Sequence, residues 1–302
     1  SRRERQLSRR SEIHVSDHPG MVRWKKFDTS EFGTNHNIRL GDLNGDGNKE
    51  IVFVRPDASG SGVGSISVIN LDGELIWQYG RLTKCESCSG AELAVQVHDL
   101  DGDGSREVIF VSRGRIHMLD GQTGKLTRRI RIPGSGDVNT MIFGDLMGVG
   151  RDNCMLLSDR EHLLIALNEK GELIWEQHTG SGSQPMVYDM DQDGRHEVLM
   201  GYSVISPDGE LIYDVGAHIG DRCNGVSVYE MVDGEQVTPC LVYAAGDWGL
   251  IYYDFEGHLL KQNILGHVSH LGVAELDLES PGLEVITSNQ WGSQGLAHVM
   301  DA

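Results

Sequence analysis

Residues 41–54 read GDLNGDGNKEIVFV. The same sentence returns as HDLDGDGSREVIFV at 98–111, as YDMDQDGRHEVLMG at 188–201 and, with losses, as GDLMGVGRDNCMLL at 144–157. In the first copy Asp42, Asn44, Asp46 and Glu50 stand at positions 1, 3, 5 and 9 of a loop whose Gly47 permits a sharp bend. Hard oxygens at alternate positions of a turning loop point inward, which is Ca²⁺ chemistry, and a backbone carbonyl near Asn48 completes the shell. The second copy supplies Asp99, Asp101, Asp103 and Glu107, with Ser105 at the carbonyl position; the fourth supplies Asp189, Asp191, Asp193 and Glu197, with Arg195 there. An EF-hand also begins DxDxDG, but its bidentate Glu comes later and helices flank it, whereas β-rich EIVFVR, EVIFVS and EVLMGY follow here at once. Strands, not helices, are expected to hold about three structural Ca²⁺ ions. The copy at 144–157 keeps Asp145 but has Met147 and Val149 where ligands should stand, so it is expected to bind none.

Aligned on these loops, the first residues fall at Asp42, Asp99, Asp145 and Asp189, with poorer cognates at Glu230 and Asp277. A period of roughly 45 residues belongs to blades or arrays. Each unit reads as a short apolar strand entering the loop, a β-branched strand leaving it, a third strand such as SISVINLD, a DG-type turn and a fourth strand such as ELIWQYG. Four antiparallel strands per repeat predict an all-β chain of propeller blades, six favoured and seven left open. The last unit lacks its fourth strand, and MVRWKKFD at Met21–Asp28 has the character of one, so the N-terminal strand is expected to close the ring. Residues 1–20 read as a flexible lead-in and 21–302 as a single domain.

Composition narrows the function. A formal charge of −19 argues against a nucleic-acid partner, which would want Lys and Arg patches. No apolar run reaches the roughly 18 residues of a membrane span. Of the five cysteines, Cys85 and Cys88 form a CxxC without a second pair to make a zinc site, so a local disulfide is expected; Cys154, Cys223 and Cys240 read as core positions. Loops of this kind work at high Ca²⁺, which points to a secreted, extracellular or periplasmic home. A monomer is expected.

Strand connectivity sorts the remaining residues onto two faces. Metal loops and DG turns share one; the starts of the inner strands and the turns after the second strands share the other. On that second face fall His36, Arg113, Arg160, Tyr202, Arg222, Trp248, His267, His270 and Trp291. A mouth lined with Arg, His, Tyr and Trp suits an acidic polysaccharide or glycan, because Arg grips carboxylate as a fork and aromatic faces stack on sugar rings.

Two longer stretches carry a resemblance. The DxDGDGxxE loops look like the FG-GAP calcium repeats of integrin α-subunit propellers. GHVSHLGVAELDLESPGLEV and NQWGSQG, within a similarity from Asn37 to Ala302, resemble the β-propeller polysaccharide lyases, notably rhamnogalacturonan lyases and their ulvan-lyase-like relatives. That resemblance implies β-elimination next to a uronic acid in a rhamnose-containing polymer. His267 or His36 would be the base and Tyr202 the acid or relay. Arg222, Arg160 and Arg113 would hold carboxylates, with His270, Trp291 and Trp248 lining the substrate. Two departures stand out: Ser183-Gln184 where relatives carry His-Tyr, and Gly220-Asp221-Arg222 where they carry GDH. The alternative is a non-catalytic, calcium-stabilised propeller that binds a glycan or protein. A glycosidase would need Asp247 with Asp159 or Glu92 and is disfavoured.

Overall fold

The computed structural model describes residues 25–29, 32, 37–58, 62–81, 93–134, 138–159, 161–179, 182, 185–233, 236–276, 282–291 and 296–300. Six discrete antiparallel sheets follow one another along the chain. The first holds β1 (Ile38–Gly41), β2 (Glu50–Pro56), β3 (Val63–Ile69) and β4 (Leu75–Gly80); the second β5 (Val95–His98), β6 (Glu107–Ser112), β7 (Arg115–Asp120) and β8 (Leu126–Arg131). The third holds β9 (Thr140–Gly144), β10 (Cys154–Ser158), β11 (Leu163–Leu167) and β12 (Leu173–His178); the fourth β13 (Met186–Tyr188), β14 (Glu197–Met200), β15 (Ser203–Ile205) and β16 (Leu211–Asp214). The fifth holds β17 (Gly225–Asp233), β18 (Gln236–Ala244), β19 (Leu250–Tyr253) and β20 (Leu259–Asn263). The sixth has three strands, β21 (His267–Ala274), β22 (Glu284–Trp291) and β23 (Ala297–Met300).

Burial explains the strand chemistry. β10 and β11, CMLLS and LLIAL, are buried at every residue, because each middle strand is covered on both faces by a neighbouring sheet. The fourth strands alternate instead: in LIWQYG and LIWEQH the Trp is buried while the residues beside it face out. Each fourth-strand Trp reaches the next sheet, Trp77 Nε1 donating to Gly121 O at 2.7 Å and Trp175 Nε1 to Pro207 O at 2.9 Å. The DG turns close as tight hairpins. Asn70 Oδ1 accepts the N–H groups of Asp72 and Glu74, Asn168 Oδ1 those of Lys170 and Glu172, and Gly73 supplies φ 87°.

The apolar core shows how the sheets are ordered. One cluster joins the first and second sheets (Val52, Ile66, Trp77 with Phe110, Leu119), and others join second to third, third to fourth, fourth to fifth and fifth to sixth. Among the described residues no cluster joins the sixth sheet back to the first, and the principal contacts between first strands run from β1 through β5, β9, β13 and β17 to β21 without returning. The closed six-bladed ring expected from the sequence is therefore corrected: the sheets form an open succession, and none is closed on itself. Of the expected closing strand, residues 21–24 lie outside the described residues; Lys25–Asp28 is not in a strand, Lys25 instead donating to Leu71 O and Asp72 beside the first hairpin, and among the described residues β23 has no further strand beside it. Both ends of the row expose apolar side chains, Ile38 and Leu40 on β1 and Val299 on β23, which a closed ring would have covered.

Two loop assignments also change. The chain at Glu230 does not turn; β17 runs through it, and Asp233 pairs with Gln236 across a long hairpin. In the sixth unit Leu276 N donates to Glu284 Oε2, the bond that Leu43 N makes to Glu50 Oε2, so Glu275 rather than Asp277 stands at the loop's first position. The expected lead-in, the Cys85–Cys88 pair and Asp277 itself lie outside the described residues. Cys154, Cys223 and Cys240 are buried free thiols, as core positions should be.

Candidate functional site

The acidic loops share one backbone design. Asp42 accepts the N–H groups of Gly45 and Gly47, Asp99 those of Gly102 and Gly104, and Asp189 those of Asp193 and Gly194. The acid at the loop's fifth position, Asp46, Asp103 or Asp193, accepts from Asn48, Ser105 or Arg195 at 2.7 Å. One oxygen of each closing glutamate is tied to Leu43, Leu100 or Met190 N–H. Side chains thus converge because the backbone turns around them. Asp99, Asp101 and Asp103 offer ligand atoms within 4.8 Å of one another, as do Asp189, Asp191 and Glu197. Asp221, Asp247 and His267 form a third such group and Asp254, Glu256 and His258 a fourth, so among the described residues four side-chain groups are capable of holding a metal ion. The first loop gathers its carboxylates less tightly, since Asn44 Nδ2 sits between Asp46 and Glu50 and donates to both.

Electrostatics shows which loops need a cation. Burial, then the charges of Asp101, Asp103 and Asp99, push the Glu107 carboxyl up to about 7 against the relief of the Leu100 N–H, and burial likewise raises Glu197. A hard divalent ion fits that uncompensated charge. Asp145 is the opposite case. Burial alone would raise its carboxyl, but N–H groups of Val149, Gly150 and Met147 outweigh it and hold it low; Arg151 N–H also reaches it. That loop satisfies its own aspartate without an ion. Arg195 has a second part beyond its backbone: its guanidinium grips Asp208 at 2.7 Å and donates to Leu146 O, latching the fourth sheet's loop to the third's. Arg106 reaches Asp42 O and Arg151 reaches Leu100 O in the same way.

The second face carries a different constellation, at the junction of the fifth and sixth sheets. Asp247 lies in the β18–β19 turn and His267 opens β21; an isolated bridge between Gly246 and Val268, with Val268 N donating to Gly246 O, brings them together. His267 Nδ1 lies 2.8 Å from Asp247 Oδ1 and 3.8 Å from Asp221 Oδ2. Asp221 is fixed by the N–H groups of Asp247 and Arg222. Only glycine serves at position 246: its φ is +55°, and a Cβ there would overlap the Asp221 carboxylate. Sequence reading named His267 and treated Asp247 as an improbable acid; it missed Asp221 as a partner, and the signal available was Gly246 beside Asp247 in a turn.

The other expected residues disperse. Tyr202 is 6% exposed, packed against Tyr243 at 5.5 Å between rings, and its hydroxyl has no partner among the described residues; burial foremost raises its pKa far above the usual phenol value. Arg113 sits on the second sheet's turn, 3.5 Å from Asp57. Arg222 Nη2 donates to Gly182 O, and His270 Nδ1 meets Ser288 Oγ at 3.1 Å. Trp248, beside Asp247, is 42% exposed. His36 and Arg160 lie outside the described residues, as does the side chain of Trp291.

No family model matches the chain, and no curated protein does. Solved structures of similar fold include the exotype rhamnogalacturonan lyase YesX, at 20% identity and a TM-score of 0.62 over 86% of this chain and 54% of that one. The Bacillus licheniformis rhamnogalacturonan lyase PL11 matches at 21% and 0.61 over 83% and 54%, and the V. cholerae biofilm matrix protein Bap1 at 19% and 0.57 over 78% and 40%. The chain spans about half the length of these lyases. The resemblance to calcium-repeat propellers and to polysaccharide lyases is accordingly corrected in three respects: no family model supports membership, the closed propeller on which the β-elimination reading rested is not formed, and likeness at this identity extends to the fold alone.

Proposed function

We propose that this chain is a divalent-cation-binding, carbohydrate-active repeat protein whose second face engages an acidic glycan around Asp247 and His267. The observation that carries the reading is the histidine oriented by carboxylate. Asp247 Oδ1 takes the Nδ1 side of the ring at 2.8 Å, leaving Nε2 to face a ligand as proton acceptor or donor. The half-exposed Trp248 next to it is an apolar platform of the kind sugar rings stack on. Two of the solved structures of similar fold are described as rhamnogalacturonan lyases, which supports carbohydrate as the partner class without specifying the polymer or the reaction. The metal in the acidic loops is Ca²⁺ in this reading, because the donors are hard oxygens alone and lie on the opposite face from His267. No helix is long and apolar enough to cross a membrane among the described residues, which agrees with a glycan partner reached from solution.

The test is a panel of uronate-containing and neutral polysaccharides, with product release followed by mass spectrometry and binding by calorimetry. Acidic polymers are expected to bind or react, with His267→Asn and Asp247→Asn lowering turnover at least tenfold. Equal behaviour of neutral polymers, or full activity in both variants, would remove this assignment.

A further inference from the structure

A cavity of about 380 Å³ opens where the first strands of the first three sheets meet, lined by Arg39, Asn37, Ala94, Gln96, Asn139 and Thr140. It lies away from the acidic loops and from His267. Among the described residues Arg39 is its one cationic lining side chain. The Arg39 Nε donates to Val95 O at 2.8 Å and to Gln96 Oε1 at 3.2 Å, and Nη1 donates to Ile38 O at 2.9 Å. Among the described residues no carboxylate lies within ion-pair distance of it, in a chain whose formal charge is −19. Burial lowers its pKa, with no acidic neighbour opposing.

The repeat supplies an internal control for a purely structural role. Gln96 stands in the second sheet where Arg39 stands in the first, three residues before the loop's first Asp, and Gln96 Nε2 donates to Met141 O at 2.9 Å just as Arg39 Nε donates to Val95 O. Linking one sheet to the next thus needs only an amide. The guanidinium brings in addition a positive charge and three N–H donors, both on Nη2 and one on Nη1, with no partner among the described residues. Those donors form the fork that takes a planar carboxylate through two parallel hydrogen bonds. The guanidinium is half-buried and no acidic side chain among the described residues balances its charge, so an anion is the occupant its chemistry favours.

We propose that Arg39 and this cavity form a binding site for a small organic carboxylate, with Asn139 and Gln96 as neutral hydrogen-bonding walls. The site is independent of the glycan reading, since it shares no residue with Asp221, Asp247 or His267. The volume suits a ligand of single-ring size.

Calorimetric titration of the whole chain with glucuronate, glucose and inorganic phosphate tests it. Glucuronate is expected to bind and glucose, which lacks the carboxylate, to bind at least tenfold more weakly. Arg39→Gln should lose glucuronate binding at least tenfold while melting as the wild type does, because glutamine restores the bond to Val95 as Gln96 makes it to Met141. Absence of glucuronate binding, equal binding of glucose, tighter binding of phosphate, or undiminished binding by Arg39→Gln would each overturn the proposal.

Discussion

Stripping divalent ions from the second acidic loop should make the protein's stability fall as pH rises. In the metal-free fold the Glu107 carboxyl titrates at about 7, against 4.5 for the same group in an unfolded chain. Folded protein therefore holds a proton that unfolded protein releases between about pH 4.5 and 7. Stability is highest below that window and declines through it. At about 1.4 kcal/mol for each tenfold change in proton affinity the displacement would reach about 3 kcal/mol at full burial, and because Glu107 is only half-buried solvent screening leaves about 1–2 kcal/mol. For a chain of this size that is a fall of about 2–3 °C in melting temperature. Ca²⁺ replaces the proton as counter-charge, and at a hundredfold excess over its Kd it restores about 2.7 kcal/mol. The assay is thermal unfolding by circular dichroism from pH 4.5 to 8, with EDTA and with Ca²⁺. Glu107→Gln sharpens it: the amide oxygen still accepts Leu100 N–H but carries no charge. At pH 8 the variant should melt above wild type in EDTA and below it in Ca²⁺. Glu197, also raised by burial, leaves a shallower residual slope in the variant. A melting temperature in EDTA that does not change with pH, or a variant that follows wild type in both conditions, would refute the reasoning.

Three further outcomes are expected. Asp145→Ala strips the acceptor from N–H groups of Met147, Val149, Gly150 and Arg151 and should cost about 1–3 kcal/mol, by denaturant unfolding, equally with and without Ca²⁺. Trp175→Phe keeps most of the packing but orphans Pro207 O, a loss of about 1–2 kcal/mol measured the same way. Gly246→Ala, forced at positive φ against Asp221, should cost about 1–3 kcal/mol by denaturant unfolding.

Local chemistry was legible wherever neighbours in sequence are neighbours in space. The hairpins ending in Asp72-Gly73 and Glu256-Gly257, the strands on either side, and the inward turn of Asp99, Asp101 and Asp103 depend on residues at most a few positions apart, so spacing alone revealed them. That the loop with Asp145 lacks ligand side chains was legible from Met147 and Val149. Its self-satisfied carboxylate was not, since backbone N–H groups leave no trace in residue identity. Glu230 misled because β-branched neighbours support either a strand leaving a loop or one continuous strand, and pairing of Asp233 with Gln236 settled it.

What the sequence by itself determined is therefore the repeat: all-β units, their strand order and the acidic loops, each set by side-chain periodicity and turn chemistry within about 45 residues. How the units are arranged was decided only in three dimensions. Whether the last sheet packs on the first depends on surfaces some 250 residues apart, and no local pattern encodes that contact; among the described residues the core clusters run from sheet to sheet and none joins the sixth to the first. The same holds at the second face. Asp221, Asp247 and His267 are far apart in the chain and meet because Gly246 bridges Val268 and leaves room for Asp221, while Tyr202, equally prominent in sequence, is drawn into the apolar interior by its packing on Tyr243.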